Sequence, residues 1–177
     1  MIHLNIGSNL NSKFGTKFEN ISIGINLLIN SKLKISKISN FYETPSYPDK
    51  KFPKFANIGL LAEYGFSHTK LLAEIGLIEK KIGRTKSTKN SPRVCDIDII
   101  DFNGLIKKNK SSVLPHPRCH IRNFVLYPIK EIDPRWVHPI CKKNVDFLIN
   151  QLSQNSRIEI TRLRKSVIIW IWLIIVS

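Results

Sequence analysis

Two aspartates separated by one residue form the pattern in this sequence that most clearly suggests chemistry. The stretch PRVCDIDII, residues 92–100, alternates polar and apolar side chains as a β-strand does, so Asp96 and Asp98 share one face and Ile97 points away from it. By strand rise, the two carboxylates lie roughly 7 Å apart. A divalent cation between them would offset the repulsion of like charges on a buried strand, and such cations commonly accompany phosphate chemistry. A solvated strand face would suit the same D-x-D pattern, so the spacing alone leaves both interpretations open.

The composition indicates one globular domain with an unusual charge. With 177 residues, 42% of them hydrophobic, the chain is long enough to bury a core of its own. Its formal net charge is +15 and its pI is near 9.9. Such a charge favours polyanionic partners, for example nucleotides, nucleic acid or anionic membranes, but it does not bear on the fold.

The cysteine pattern favours a reducing compartment. Cys95, Cys119 and Cys141 are odd in number, far apart in the sequence and without a C-x-x-C pair. This pattern argues against a disulfide framework and against a zinc site. The N-terminal residues also lack the basic and apolar regions of a signal peptide, so we predict a cytoplasmic protein.

An apolar run lies near the C-terminus. Residues 167–176 read VIIWIWLIIV, which is short of the ~20 residues that a membrane-spanning helix needs. We therefore predict a single domain over residues 1–162 and an apolar tail over residues 163–177. A buried strand, an interfacial anchor and the product of a shifted reading frame all suit this tail, and we favour a buried or artefactual tail over an anchor.

Hydrophobic periodicity predicts alternating strands and helices. Strands are predicted at residues 2–7, 34–42 and 55–64 and at the strand that carries the two aspartates. Helices are predicted at residues 15–31, 67–83, 122–131 and 144–152, whereas residues 44–53 and 84–91 read as loops and Asn103-Gly104 as a hairpin turn. The order strand, helix, strand, strand, helix, strand is that of an α+β, ferredoxin-like fold, an antiparallel sheet with helices packed on its faces.

Seven short motifs, taken in order, resemble the 6-hydroxymethyl-7,8-dihydropterin pyrophosphokinase family. They are GSNL at 7–10, FYETP at 41–45, FAN at 55–57, GR at 83–84, PRxxDxDI at 92–99, PH at 115–116 and RNF at 122–124. Each motif alone is weak, but together they extend over about residues 2–152. The resemblance implies a ferredoxin-like fold, ATP as co-substrate and magnesium (Mg2+) as cofactor. It also implies transfer of a pyrophosphoryl group from ATP to a pterin in folate biosynthesis.

The resemblance implies roles for individual residues. Two Mg2+ ions would be held by Asp96 and Asp98, and the transfer would be assisted by Arg84 and Arg93. The residues that would contact ATP are Arg93, Ile99, His116 and Arg122. Those that would contact the pterin are Thr44, Pro45, Phe55, Asn57 and Phe124, with the two phenylalanines stacking on the ring and Asn57 reading its edge. Glu79 would support nearby arginines.

Several of these residues have plainer interpretations. Without the resemblance, the two phenylalanines would be assigned to the core, Arg93 to the surface and His116 to a structural role. In the basic loop 84–91, Asn90 and Ser91 stand where the family often carries tryptophan and glycine. A decayed homologue that binds ATP or pterin without turnover is therefore one alternative function.

A nucleic-acid-binding ferredoxin-like module is the other alternative. The basic charge favours it, but the chain lacks the aromatic motif by which RNA-recognition domains stack on bases. We therefore predict ATP and a small pterin as partners, no nucleic acid and no membrane, and a monomeric protein.

Overall fold

The computed structural model describes residues 1–47, 49–84, 91–109 and 112–164. Its strands are β1 (Ile2–Ser8), β2 (Lys34–Ile38), β3 (Tyr42–Thr44), β4 (Phe55–Glu63), β5 (Asp96–Phe102), β6 (Lys107–Asn109), β7 (Ser112–Leu114) and β8 (Thr161–Arg162). Its helices are α1 (Lys17–Asn30), α2 (His68–Ile82), α3 (Asn123–Ile132), α4 (Val145–Gln151) and α5 (Gln154–Ile158), and a 3₁₀ turn spans Cys119–Ile121.

A six-stranded antiparallel sheet forms the centre of the described fold. Its order is β5-β1-β4-β3-β8, and β2 pairs with the part of β4 that β3 leaves free. The inner strand β1 is antiparallel to both of its neighbours, β4 and β5. This order, with α1 following β1 and α2 following β4, confirms the predicted ferredoxin-like fold. Strands β6 and β7 form a separate two-stranded ribbon.

Helices cover both faces of the sheet, which is why every residue of β1 is buried. On one face, α1 and α2 enclose a main core that includes Ile6, Ile25 and Leu71. On the other face, α3 and α4 enclose a second core. Helix α3 approaches β4 so closely that a Cβ atom at Gly59 would lie 2.8 Å from the Cβ of Pro128. Glycine at position 59 therefore permits this packing.

The end of helix α2 positions Arg84, one of the predicted site residues. Its predicted start is confirmed by Ser67, whose Oγ accepts a hydrogen bond from the Lys70 N–H over 3.3 Å. Its predicted end is confirmed by Gly83, which adopts a left-handed φ of 109°. The next N–H, that of Arg84, donates to the Glu79 carbonyl over 2.9 Å, so the helix end fixes where Arg84 leaves it.

Two local predictions are wrong. The strand predicted at 34–42 is divided into β2 and β3, because Ser39 Oγ accepts from the Gly59 N–H over 2.9 Å in place of a backbone partner. Asn103 and Gly104 do form a tight turn, with φ values of 54° and 72°. That turn does not close a hairpin, however, because β5 pairs with β1 while β6 pairs with β7.

The end of the described chain adds to the sheet edge. Strand β8 pairs with β3, and the Leu163 N–H donates to the Phe41 carbonyl over 2.8 Å. Leu163 also packs against the main core, so the packed fold extends one residue into the segment that we assigned to the tail. The apolar run at 167–176 lies outside the described residues. None of the helices described is both long and apolar enough to cross a membrane.

Candidate active site

A cavity of about 400 Å³ opens where β1 ends and β4 and β5 begin. Because the sheet is antiparallel, these strand ends lie side by side at one end of the sheet. They bring together residues that are distant in the sequence. The cavity is of a size that suits a small ligand. Its wall is formed by Asn5, Gly7, Thr44, Pro45, Tyr47, Phe55, Asn57, Ser91, Arg93, Asp96, Asp98, Arg118, Ile121, Arg122 and Phe124.

The two aspartates of β5 both line this cavity. The intervening Ile97 and the following Ile99 pack in the main core instead, as strand alternation predicts. Burial, together with the neighbouring charge of Asp96, raises the pKa of Asp98 to about 6. Ionisation of Asp98 is therefore disfavoured by burial and by its charged neighbour, and a bound cation would offset both effects.

Asp96 is held between two arginines. Arg84 Nη1 lies 2.8 Å from Asp96 Oδ1, and Arg93 Nη1 donates to Asp96 Oδ2. Arg84 also donates to Glu79, and Glu79 Oε1 accepts from the Ile97 N–H over 2.8 Å. Glu79 thus supports Arg84, as the sequence analysis expected. Burial raises the pKa of Glu79, although the Ile97 N–H and Arg84 favour its ionised form.

His116 and Arg122 flank Asp98. Their Nε2 and Nη1 atoms lie 3.9 and 3.7 Å from Asp98 Oδ2. His116 Nδ1 accepts from the Arg118 N–H over 3.1 Å, and Arg122 Nη1 lies 3.4 Å from His116 Nε2, so donor groups approach both ring nitrogens. Burial and the neighbouring Arg122 lower the pKa of His116 to about 4. The ring is therefore neutral at pH 7.

Aromatic and amide groups form another part of the wall. The side chains that we assigned to pterin binding, Thr44, Pro45, Phe55, Asn57 and Phe124, all line the cavity. Asn57 Nδ2 donates to Thr44 Oγ1 over 3.3 Å. A Cβ atom at Gly7 would lie 2.8 Å from Asn57 Oδ1, so glycine at this position leaves room for the amide. These groups offer ring faces and in-plane polar atoms to a flat ligand.

Some predicted residues lie outside the cavity wall. The side chain of Ile99 is buried in the main core, so only its backbone is left to contact a nucleotide. Arg84 and His116 adjoin the site through the two aspartates rather than by lining the cavity. The part of the basic loop that includes Asn90 lies outside the described residues.

Asn5 was missed by the sequence analysis and supports Phe124. Pro128 has no N–H, so the Phe124 carbonyl lacks its donor within α3. With its amide nitrogen turned toward the carbonyls, Asn5 donates to Phe124 O over 2.9 Å and to Ile58 O over 3.2 Å. A polar residue between two apolar residues, Leu4 and Ile6, was the available signal.

Asn9 was also missed as a positioning residue. This buried side chain accepts from the Arg93 N–H over 2.7 Å through Oδ1. Its Nδ2 donates to Ser46 Oγ and to the Pro53 carbonyl, each over 3.1 Å. One amide therefore joins the end of β1 to the segment before β5 and to the loop after β3, two of the segments that form the cavity wall.

The sequence of this chain is similar to those of known proteins. The sequence model of the family described as 7,8-dihydro-6-hydroxymethylpterin-pyrophosphokinase (HPPK) matches residues 3–134. The 2-amino-4-hydroxy-6-hydroxymethyldihydropteridine pyrophosphokinase of Aquifex aeolicus is 32% identical over 142 residues, which cover 80% of this chain and 86% of that protein. The protein of the same name from Synechocystis is 28% identical over 144 residues, 81% of this chain and 73% of that protein.

A longer relative matches over a similar region. The folic acid synthesis protein FOL1 of Dictyostelium discoideum is 36% identical over 139 residues, which make up 78% of this chain but 20% of that protein. The residues that line the cavity, from Asn5 to Phe124, lie within the region that the family model matches.

Proposed function

This chain belongs to the 7,8-dihydro-6-hydroxymethylpterin-pyrophosphokinase family, and we propose that it transfers a pyrophosphoryl group from ATP to 6-hydroxymethyl-7,8-dihydropterin in folate biosynthesis. The hydroxyl oxygen of the pterin would form a bond to the β-phosphorus of ATP and release its proton to solvent. The bond from that phosphorus to the oxygen bridging the α- and β-phosphates would break, and AMP would leave with that oxygen. The coexistence of two carboxylates and an aromatic–amide wall in one cavity supports this assignment most directly.

The carboxylates of Asp96 and Asp98 suit Mg2+. Magnesium prefers hard oxygen ligands, and the pKa of Asp98 is raised by burial and by the neighbouring charge of Asp96, which the surrounding arginines do not fully offset. When bound, Mg2+ neutralises phosphate charge and polarises the phosphoryl oxygens. We assign both aspartates to its binding.

The basic residues around the aspartates would bind the triphosphate. The guanidinium groups of Arg84, Arg93 and Arg122 all lie within ion-pair distance of an aspartate, so they are already collected where phosphate charge would enter. Phosphoryl transfer depends mainly on positioning and on neutralisation of charge. Neutral His116 adds a ring that can form hydrogen bonds without adding charge.

The aromatic and amide wall would bind the pterin. A flat heterocycle favours aromatic faces above and below it and polar groups in its plane. Phe55 and Phe124 would supply the faces, while Asn57 and Thr44 would pair with the edge. Asn5, through the Phe124 carbonyl, would hold one of the two faces in place.

We also propose that the protein acts in the cytoplasm and as a monomer. Its cysteines are free thiols, which suits a reducing compartment. The described cavity wall is formed by residues of one chain.

The test is AMP release by the purified full chain. The protein is incubated with ATP and Mg2+, with and without 6-hydroxymethyl-7,8-dihydropterin, and Asp98→Asn serves as the matched variant. We expect AMP that depends on both pterin and Mg2+ and that disappears in Asp98→Asn. Pterin and ATP binding without AMP release, by protein shown to be folded, would instead establish the decayed homologue.

A further inference from the structure

One aromatic side chain of the cavity wall has no role in the function proposed above. Tyr47 lies in the loop that follows β3, and its side chain lines the cavity. It is 79% exposed, which is more than any other large hydrophobic side chain of the described residues. A single exposed ring is ordinary on a protein surface, but this one borders a cavity that suits a flat ligand.

The backbone that precedes Tyr47 is held against the cavity. The neighbouring Ser46 is buried, and its Oγ donates to the Pro53 carbonyl over 2.6 Å. The same Oγ accepts from Asn9 Nδ2 over 3.1 Å, and Asn9 accepts in turn from the Arg93 N–H. The start of the Tyr47 side chain is therefore fixed relative to the cavity, whereas the exposed ring can change rotamer rapidly.

The other two rings of the cavity wall are held more firmly. Phe55 is the first residue of β4, and Phe124 lies in the first turn of α3. Both side chains are partly buried, and Phe124 packs against the second core. The wall thus combines two rings on rigid elements with one ring on the solvent side, and a ligand held by the first two lies within reach of the third.

We propose that the Tyr47 ring closes over the bound pterin and slows its release. This inference rests on the proposed function, because the pterin is the ligand assigned there. Closure would remove apolar surface of both the ring and the ligand from water, which stabilises the complex. Only two side-chain torsions are ordered, so the entropic cost is small. Tyrosine suits the position because its ring can cover a ligand while its hydroxyl remains in water.

Replacement of Tyr47 should act on the dissociation of the pterin. In Tyr47→Ala, the dissociation rate constant should rise about threefold to tenfold, while the association rate constant stays within about twofold of the parent value. Tyr47→Phe should retain the parent rates, because the hydroxyl is left in water. Phe52→Ala removes a 40% exposed ring of the same loop that does not line the cavity and should change neither rate. Stopped-flow fluorescence of the pterin measures both.

Fluorine NMR observes the ring of Tyr47 directly. The full chain is produced with fluorotyrosine at its four tyrosines, and the signal that is missing from Tyr47→Phe belongs to Tyr47. With Mg2+ and α,β-methylene-ATP, which cannot release AMP, a soluble paramagnetic agent should broaden this signal strongly. Addition of the pterin should reduce the broadening at least threefold, whereas the signal of the buried Tyr64 should not respond.

The outcomes separate this inference from the proposed function. Pterin that binds, as calorimetry measures, without shielding Tyr47 would overturn the closure and leave the proposed function intact. Shielding by the ATP analogue alone would assign the ring to the nucleotide and would overturn the closure as well. Absence of pterin binding would contradict the proposed function and the closure together. An unchanged dissociation rate in Tyr47→Ala, in protein that circular dichroism shows to be folded, would also contradict the closure.

Discussion

Arg84 and Asp96 form an ion pair in which Nη1 lies 2.8 Å from Oδ1. Arg93 donates to the other oxygen of the same carboxylate, so side chains of the protein already engage both oxygens of Asp96. The proposed reaction assigns this carboxylate to Mg2+. Arginine and metal therefore compete for the same oxygens, and the arginines become available to phosphate when the metal replaces them.

Replacement of Arg84 should separate its competition with the metal for Asp96 from its binding of phosphate. In Arg84→Ala, the nucleotide-free protein should bind Mg2+ about threefold to tenfold more tightly, because a partly exposed ion pair no longer competes for Asp96. Turnover should fall at least tenfold, because a phosphate-binding cation is lost. Calorimetry gives the metal affinity and AMP release gives the turnover. Arg135→Ala, which alters an exposed arginine, should change neither, and an unchanged Mg2+ affinity in Arg84→Ala would refute the competition.

The raised pKa of Asp98 predicts a stability that depends on pH. The folded-state pKa of about 6 exceeds the ordinary value of 3.8, so the folded protein binds more protons than the unfolded chain between these values. The stability contributed by Asp98 is therefore present at low pH and is lost as pH rises through about 6. Without metal, ionised Asp98 should destabilise the fold at neutral pH.

The Asp98→Asn variant tests whether ionised Asp98 destabilises the fold at neutral pH. In EDTA at pH 7.5, the variant should be more stable than the parent by about 1 kcal/mol after allowance for solvent screening, although it lacks turnover. The difference should shrink toward zero near pH 4, where the parent carboxyl is also neutral. Urea unfolding at both pH values measures it. A less stable variant at pH 7.5 would mean that the neighbouring arginines outweigh burial.

Replacement of Phe124 should weaken binding of the pterin more than binding of the nucleotide. Loss of an aromatic face costs about 1–3 kcal/mol for a stacked base, so Phe124→Ala should weaken pterin binding at least fivefold while ATP affinity stays within about twofold. Calorimetric titrations with each ligand provide the comparison. Phe66→Ala removes a partly exposed ring that does not line the cavity and should leave both affinities unchanged. A larger loss of affinity for ATP than for pterin in Phe124→Ala would refute the stacking of Phe124 on the pterin.

Local patterns were sufficient to predict which way many side chains point. Alternation along β5 separated Asp96 and Asp98 from Ile97, and capping at Ser67 and Gly83 defined α2. These signals depend on neighbours within a few residues, so the sequence contains them directly. The order of the elements then sufficed for the ferredoxin-like fold.

Contacts between distant segments could not be predicted in the same way. Asn9 meets Arg93 only because β1 and β5 pair in a particular register, and Cys119 meets His138 only through the path of the loop after α3. The break between β2 and β3 arises from one hydroxyl, that of Ser39, which replaces a backbone acceptor. No periodic pattern records such pairings.

The contact between Asn5 and the Phe124 carbonyl yields the last prediction. Because Pro128 has no N–H, Asn5→Ala leaves that carbonyl without a donor. We expect the free energy of unfolding to fall by about 1–3 kcal/mol and pterin affinity to fall more than ATP affinity. Asn155→Ala, an exposed asparagine of α5, should change neither.

A double-mutant cycle isolates this contact. Pro128→Ala supplies a backbone N–H within α3 that can reach the Phe124 carbonyl, so it should compensate for the missing amide. The loss of stability caused by Asn5→Ala should therefore be smaller by about 0.5–1.5 kcal/mol in the Pro128→Ala background than in the parent. Urea unfolding of the four proteins measures the coupling. Strictly additive losses would show that Asn5 stabilises the protein by some route other than the carbonyl that supports the proposed pterin face.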